Sequence, residues 1–539
     1  MFLSINSLDK RFIKLYISIV RLKLFQGSFH IMRSLIAFKF NIVLLFTLLF
    51  TITNTAFGVD TTEVKVIDTA GCNLAIVDET SPNTYSLKST SKTHNWFAGI
   101  FECLNTSSPT TFSLCMDGTG TTESPGDVSK WDGLWPVYTY GEYSNYDTYI
   151  YYTKNDDGYW VSSDVFAKEK LTGNGKTPMQ TAIPAELAEE FLSDDGKYWS
   201  AWAELQDTHA DKGSNTFFMT HQFNSPNVSI AMKYPYTYDY ELEYMTKLKR
   251  ANIPGITVHA VGKNEKEQEL FIVEINDPNA TAEELKERRV VLIYANEDGD
   301  EADSSWVAHG ALNFLVSGSD EAKNILQEVT FLIIPMLDPI GWAESTYGKM
   351  TYSFDPTGEE YFGHIRPEIG AYATFIVDWT MKQERRLDVV INLHNIECTE
   401  GPNIMFPMLE RTYFDSMKSL REYLLNNITS VKTGNTIWSE GFFEDRYMGW
   451  CTRHYGTISV LTEINSRYPG NRMNLADINN LGKDFTVALH KYFSSDAYER
   501  ALPKLEKAYS EQLVRYKKAL VDGKAPNIPP IYFILRLGL

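Results

Sequence analysis

Four short apolar runs, Val290–Tyr294, Val329–Ile334, Val389–Leu393 and Ile458–Leu461, recur in the second half of the chain with helix-length segments between them. That spacing restricts the fold more than any other feature. Runs this short, rich in Val, Ile and Leu and with few polar residues, suit strands covered on both faces. The intervening stretches Tyr240–Lys249, Ser304–Val316, Ile369–Met381, Leu409–Leu425 and Leu475–Phe493 predict helices. The expected fold class is therefore α/β, a mixed open sheet with helices on both faces.

Ahead of Tyr234 the pattern changes. From about Val59 to Met232, Tyr, Trp, Thr and Ser fill short alternating runs such as Thr148–Tyr152 and Asn215–Phe223, separated by Gly, Asp and Asn, which predicts an all-β region. Pro184–Leu192 is a helical interruption with an apolar face. Beyond Ala501 a charged helix is expected, with Leu502, Leu505, Ala508, Leu513 and Tyr516 at helical spacing.

Composition sets the outer limits. At 539 residues and 43% hydrophobic content, the chain can build two or more cores. A formal charge of −19 leaves no basic stripe to neutralise phosphates, which argues against nucleic acid or an anionic membrane as partner. From Met32, Arg33 and Lys39 precede the apolar run Ile42–Ile52, and Ala56 and Gly58 follow as small residues suited to cleavage. This has the shape of a secretory signal peptide and falls short of the roughly 20 apolar residues that a spanning helix needs. Export to a periplasmic or extracellular space without stable membrane insertion is the expectation, with a membrane anchor formed by the same run as the alternative. Residues 1–31 read either as an extension upstream of the true start or as a long basic leader. Five cysteines are too few, and odd in number, for a disulfide scaffold. In an exported protein a bridge among Cys72, Cys103 and Cys115 is expected, with Cys398 and Cys451 able to pair.

The chemistry-bearing residues follow the apolar runs. Asp298 and Glu301 come after Val290–Tyr294, His394 after Val389–Ile391, and Glu463 after Ile458–Leu461. Open α/β sheets place their sites at such strand ends. Two ligands three residues apart in a turn, plus one from a neighbouring strand, make a three-ligand metal site with an open position, and Glu463 is the candidate base. Each has a plainer reading. Glu297–Asp303 reads equally as a solvated acidic turn, His394 as a core-edge histidine satisfied by backbone, and Glu463 as an exposed strand-end glutamate.

The order and flanks resemble the zinc metallocarboxypeptidase family, whose pattern is His-x-x-Glu, a distant His after a strand and a late catalytic Glu. Glu301 is followed by Ser304-Ser305-Trp306, as in that family, and Pro335-Met336-Leu337-Asp338-Pro339 looks like its Pro-Met-Leu-Asn-Pro turn. Tyr234-Pro235-Tyr236-Thr237-Tyr238 is similar to the entry of the catalytic domain in the cytosolic-carboxypeptidase branch. The resemblance covers roughly residues 90–495, and together with the residue patterns at either end it divides the chain into a leader and signal peptide (1–58), an N-terminal β-sandwich (59–232), a catalytic domain (233–500) and a C-terminal helix and tail (501–539). An unrelated binding sandwich would show the same aromatic density. The resemblance further implies one zinc ion held by Asp298, Glu301 and His394, Glu463 as general base, and a peptide or protein substrate.

Departures from the pattern bear on activity. Asp298 stands where the family has its first histidine. Two carboxylates and a neutral imidazole leave a dication formally neutral, and such oxygen-rich ligation also admits manganese or iron. The family's two arginine clamps for the substrate carboxylate are missing from their usual places, which here read Ala343–Lys349 and Ser353–Pro356. Lys349, Arg366, Arg453, Arg467 and Arg472 are the candidate substitutes, and Tyr447 could be the mobile tyrosine of such sites. The leading expectation is a hydrolase cleaving near a peptide C-terminus. The alternatives are a pseudo-peptidase that binds peptides without turnover, and an amidase or deacylase on the same scaffold.

Overall fold

The computed structural model describes residues 63–90, 96–118, 126–142, 145–166, 183, 185–345, 367–395, 404–407, 413–428, 432–433, 451–452, 455–470 and 472–521. The leader and signal peptide, and with them Lys349, Arg366, Cys398, Tyr447 and Arg453, lie outside the described residues.

The N-terminal region is built from strands. One five-stranded sheet runs Lys65–Ile67, Ala98–Glu102, Val228–Ala231, Val137–Thr139, Ala203–Glu204, and a second runs Asp207–Asp211, Thr216–His221, Thr110–Cys115, Thr84–Ser89, Leu74–Ser81. Alternate residues of Thr110–Cys115 are buried, the period-two signature of a half-covered strand. Rings from the two sheets meet in the core, with Phe101 and Phe112 at 4.5 Å between centroids. The expected strand over Thr148–Tyr152 is corrected. Tyr146–Tyr149 is a short 3-10 turn, and the strand covers Tyr151–Lys154 instead. Tertiary packing overrides the local pattern, because Tyr146 and Tyr149 pack on Tyr240 at 4.9 and 5.0 Å. The interruption near Pro184 is likewise 3-10, over Ala185–Phe191.

The second region is an eight-stranded mixed sheet. Its strands are β1 (Ile256–Lys263), β2 (Glu269–Ile275), β3 (Arg289–Ala295), β4 (Val329–Ile334), β5 (Val389–Asn395), β6 (Ile404–Pro407), β7 (Lys432–Thr433) and β8 (Ile458–Ile464). The spatial order is β1-β2-β4-β3-β5-β8-β6-β7. The four central strands are parallel and the flanking ones mix directions. Every residue of β4 and β5 is buried, so both faces are covered. The β1/β2 hairpin was not among the sequence-derived runs: His259 and polar residues break the apolar signal of β1, whereas the run Leu270–Val273 in β2 was overlooked.

Two helices position the site. Helix α1 (Ala302–Val316) leaves the end of β3, and α2 (Leu475–Phe493) crosses it. The crossing is close because glycines face each other's backbone: a Cβ on Gly310 would overlap Asn479, and one on Gly482 would overlap Val307 and Ala311. The β region is fastened beside this pair. Arg467 reaches Glu204 of that region at 2.7 Å, and Trp306 Nε1 donates to the carbonyls of Tyr234 and Pro235, just past its last strand, at 3.1 Å each. None of Cys72, Cys103, Cys115 and Cys451 is disulfide-bonded, against the bridge expected among the first three. They sit on separate strand ends and turns of the β region, with Cys451 buried in the α/β region.

Candidate metal centre

The turn from β3 into α1 carries the acidic run. Asn296 adopts a left-handed conformation (φ 60°), which a short polar side chain tolerates, and so redirects the chain immediately after the strand. Its side-chain amide donates to the carbonyls of Asp298 and Gly299 at 3.3 and 3.1 Å. Gly299 presses against the next turn so closely that a Cβ there would overlap the backbone of Gly341. The helix start is tied down as well. Ser304 N donates to Asn395 Oδ1 at the end of β5 (2.9 Å), and Ser466 N donates to Asp303 Oδ2 (3.1 Å). The loop is thus fixed by three strand ends, with its acids at a helix N-terminus that favours negative charge.

The reading of Glu297–Asp303 as a solvated turn is overturned. Glu297, Asp298, Asp300, Glu301 and Asp303 are all at most 2% exposed. His394 is also buried, and its position follows from sheet register: β5 runs parallel to both β3 and β8, with His394 directly beside Glu463. One carboxylate oxygen each from Asp298 and Glu301 and a ring nitrogen of His394 lie within 4.8 Å of one another. His394 Nδ1 is 2.9 Å from Glu301 Oε2 and 3.4 Å from Asp298 Oδ2. On the other side of the ring, Nε2 is 3.1 Å from Glu297 Oε2, which also accepts from Asn392 Nδ2 at 2.8 Å.

This pattern decides the donor chemistry. Both ring nitrogens face carboxylates, so the ring is neutral with its proton on Nε2 and a lone pair on Nδ1 only when a cation takes the Nδ1 side. Nδ1 then points at two more acceptors. A lone pair and two carboxylate oxygens converging in a buried space form a pocket suited to a cation, and the three atoms are of the types that zinc takes. The residues therefore fit a divalent metal. Burial raises the Glu301 carboxyl well above its ordinary range, and Asp298 and Glu463 add to this while His394 pulls the other way. Glu463 is thus near enough for its charge to act on Glu301, from the strand beside His394.

Two of the candidate carboxylate clamps are engaged elsewhere. Arg467 is fully buried and bonded to Glu204, Ser466 Oγ and the Met473 carbonyl. Arg472 donates to the Gly133 carbonyl and lies over the Trp135 ring at 3.1 Å. The sequence reading missed Asn296, Glu297 and Asn392. An Asn directly after an apolar run is a turn signal that could have marked the first; nothing local distinguishes Glu297 from its acidic neighbours.

Known proteins match this chain in sequence and in fold. Residues 241–352 match the zinc carboxypeptidase family model. Cytosolic carboxypeptidase 6 of Mus musculus is 30% identical over 122 residues, 23% of this chain and 22% of that protein. Cytosolic carboxypeptidase 6 of Homo sapiens is 30% identical over 163 residues, 30% of this chain and 32% of that protein. The matches thus span less than a third of the length of these curated relatives. The fold is that of a metallocarboxypeptidase from Burkholderia cenocepacia, with a TM-score of 0.57 at 13% identity over 80% of this chain and 100% of that one. The chain resembles the zinc metallocarboxypeptidases in sequence and in fold, with a strand-rich region ahead of the α/β sheet.

Proposed function

We propose that this chain, with a zinc carboxypeptidase sequence over residues 241–352, is a metal-dependent hydrolase cleaving an amide bond near a peptide C-terminus. In this reading Asp298, Glu301 and His394 hold one zinc ion and Glu463 is the general base. The observation that carries it is the buried convergence of three acceptor atoms at the ends of parallel strands. When bound, the ion supplies Lewis acidity to the attacking water and the scissile carbonyl. Glu463 takes the proton released by that water and returns it to the leaving nitrogen. Asn296 and the Gly299–Gly341 contact hold the two carboxylates in place, so little reorganisation is needed. With Asp298 in place of a histidine the centre is less positive, which favours slower turnover and admits manganese or iron.

The test is metal analysis of the purified mature chain, wild type beside Asp298→Ala, followed by peptide hydrolysis. Expected are one metal ion per wild-type chain, activity lost on chelation, and a loss of about 10²- to 10⁴-fold in Glu463→Gln. A wild-type chain that takes up no metal, or turnover unchanged in Glu463→Gln, would sink the reading. A peptide-binding module without turnover is the second reading, favoured by Asp298 and by the commitment of Arg467 and Arg472 to other contacts. Binding that survives both chelation and Glu463→Gln would select it. Hydrolysis of blocked amides but not of free C-termini would select the deacylase. Export remains a proposal resting on residues 32–58 of the sequence.

A further inference from the structure

Resting on the metal reading above, we infer that Glu297 is a positioning residue for the metal: it holds His394 in the one tautomer and orientation that present Nδ1 to Asp298 and Glu301. Glu297 is fully buried and follows β3, one strand away from His394. Its Oε2 lies 3.1 Å from His394 Nε2, the nitrogen opposite the one facing the ligand carboxylates. Glu297 therefore acts through the imidazole and does not join the ligand set.

The local fold explains why Glu297 can do this. Asn392 and His394 lie two residues apart on β5 and so point to the same face of the sheet. Both reach the same Glu297 oxygen, Asn392 Nδ2 donating at 2.8 Å. Register pairs Tyr294 with Asn392 and Ala295 with Leu393, so the chain leaving β3 passes alongside His394. The Asn392 bond fixes the carboxylate, and the carboxylate fixes the ring. A carboxylate on the far nitrogen also strengthens the imidazole as a donor. This adds electron donation in a site where Asp298 has replaced a second imidazole.

The inference is tested by zinc affinity, measured on the full chain by competition with a chromophoric chelator, and by the visible spectrum of the cobalt(II)-loaded protein. Glu297→Gln is expected to weaken zinc binding about 10- to 100-fold and to shift the cobalt spectrum, with stoichiometry unchanged at saturating zinc. A residue serving only the fold would lower thermal stability and leave both readouts where they were. Asn392→Ala tests the same chain of contacts if Glu297→Gln does not fold, with a smaller loss of roughly threefold to tenfold. Zinc affinity within about twofold of wild type in the variants that fold overturns the role of Glu297 alone. A wild-type chain that binds no zinc overturns the metal reading beneath it.

Discussion

The sheet buries two groups of charge, and they are completed in opposite ways. Near the β1/β2 hairpin, Glu274 accepts from His259 Nε2 and Asn276 Nδ2 at 2.9 Å each and from Arg385 at 2.8 Å. Arg385 also bonds Asn276 and Thr330 and lies over the Trp379 ring. Burial alone would push the Glu274 carboxyl up, yet these partners hold it at about 2. At the other group, burial pushes Glu301 well above its ordinary range, and the pull of His394, opposed by Asp298 and Glu463, does not bring it back. One cluster is neutralised by side chains of the chain itself. The other gathers two carboxylates and a ring nitrogen within 4.8 Å of one another, the arrangement expected of a cation site and not of a structural ion pair.

The comparison breaks most directly through mutation. Removing one partner of a buried pair strands the other, so Arg385→Met is expected to lower unfolding free energy by about 3–5 kcal/mol in urea titrations. Asp298→Asn removes a like charge from an overloaded cluster, so the metal-stripped chain is expected to be as stable as wild type or more so. If Arg385→Met were harmless, or Asp298→Asn cost as much as Arg385→Met, the contrast between the clusters would be lost. Zinc sharpens it further. At 100 times its dissociation constant it is expected to stabilise the stripped wild-type chain by about 2.7 kcal/mol. Arg385→Met should keep that increment and Asp298→Asn should lose most of it, both readable as shifts in thermal midpoint with and without the ion.

What the sequence disclosed followed from periodicity. Short runs rich in Val, Ile and Leu gave strands β4, β5 and β8 within a few residues, and the helix over Leu475–Phe493 has the bounds expected of it. The placement of Asp298, Glu301 and His394 at strand ends was legible for the same reason. Their burial was not. An acidic run resembles a solvated turn until neighbouring strands close over it, and that closure depends on Asn296, on the Gly299–Gly341 approach and on Asn395, which are distant in sequence from one another. Glu297 was invisible for the same cause, since its partners Asn392 and His394 lie some 95 and 97 positions along the chain. The strand misassigned over Thr148–Tyr152 failed because stacking on Tyr240 outweighed β propensity.

The smallest effect expected is a pH dependence that separates Glu274 from a third buried group on the helix that starts at the candidate metal centre. His309 sits between the hydroxyls of Tyr236 and Tyr240, at 3.3 Å from Nδ1 and 3.1 Å from Nε2, and burial lowers its pKa from 6.5 to about 3. A histidine kept neutral in the fold is protonated first in the unfolded chain, so its contribution to stability is intact above pH 6.5 and declines as pH falls towards 3. Glu274, held at about 2 from an ordinary 4.5, has its stabilisation in full above pH 4.5 and loses it as pH falls towards 2. The two windows overlap only in part. Each group changes stability by at most about 1.4 kcal/mol per pH unit. Urea titrations across this range should therefore show the wild-type slope between pH 6.5 and 4.5 flattened in His309→Gln, while the slope below 4.5 keeps the contribution of Glu274. A His309→Gln profile parallel to wild type throughout would mean that the histidine is already charged in the fold, and that the tyrosine cage beside the centre tolerates charge without a compensating partner.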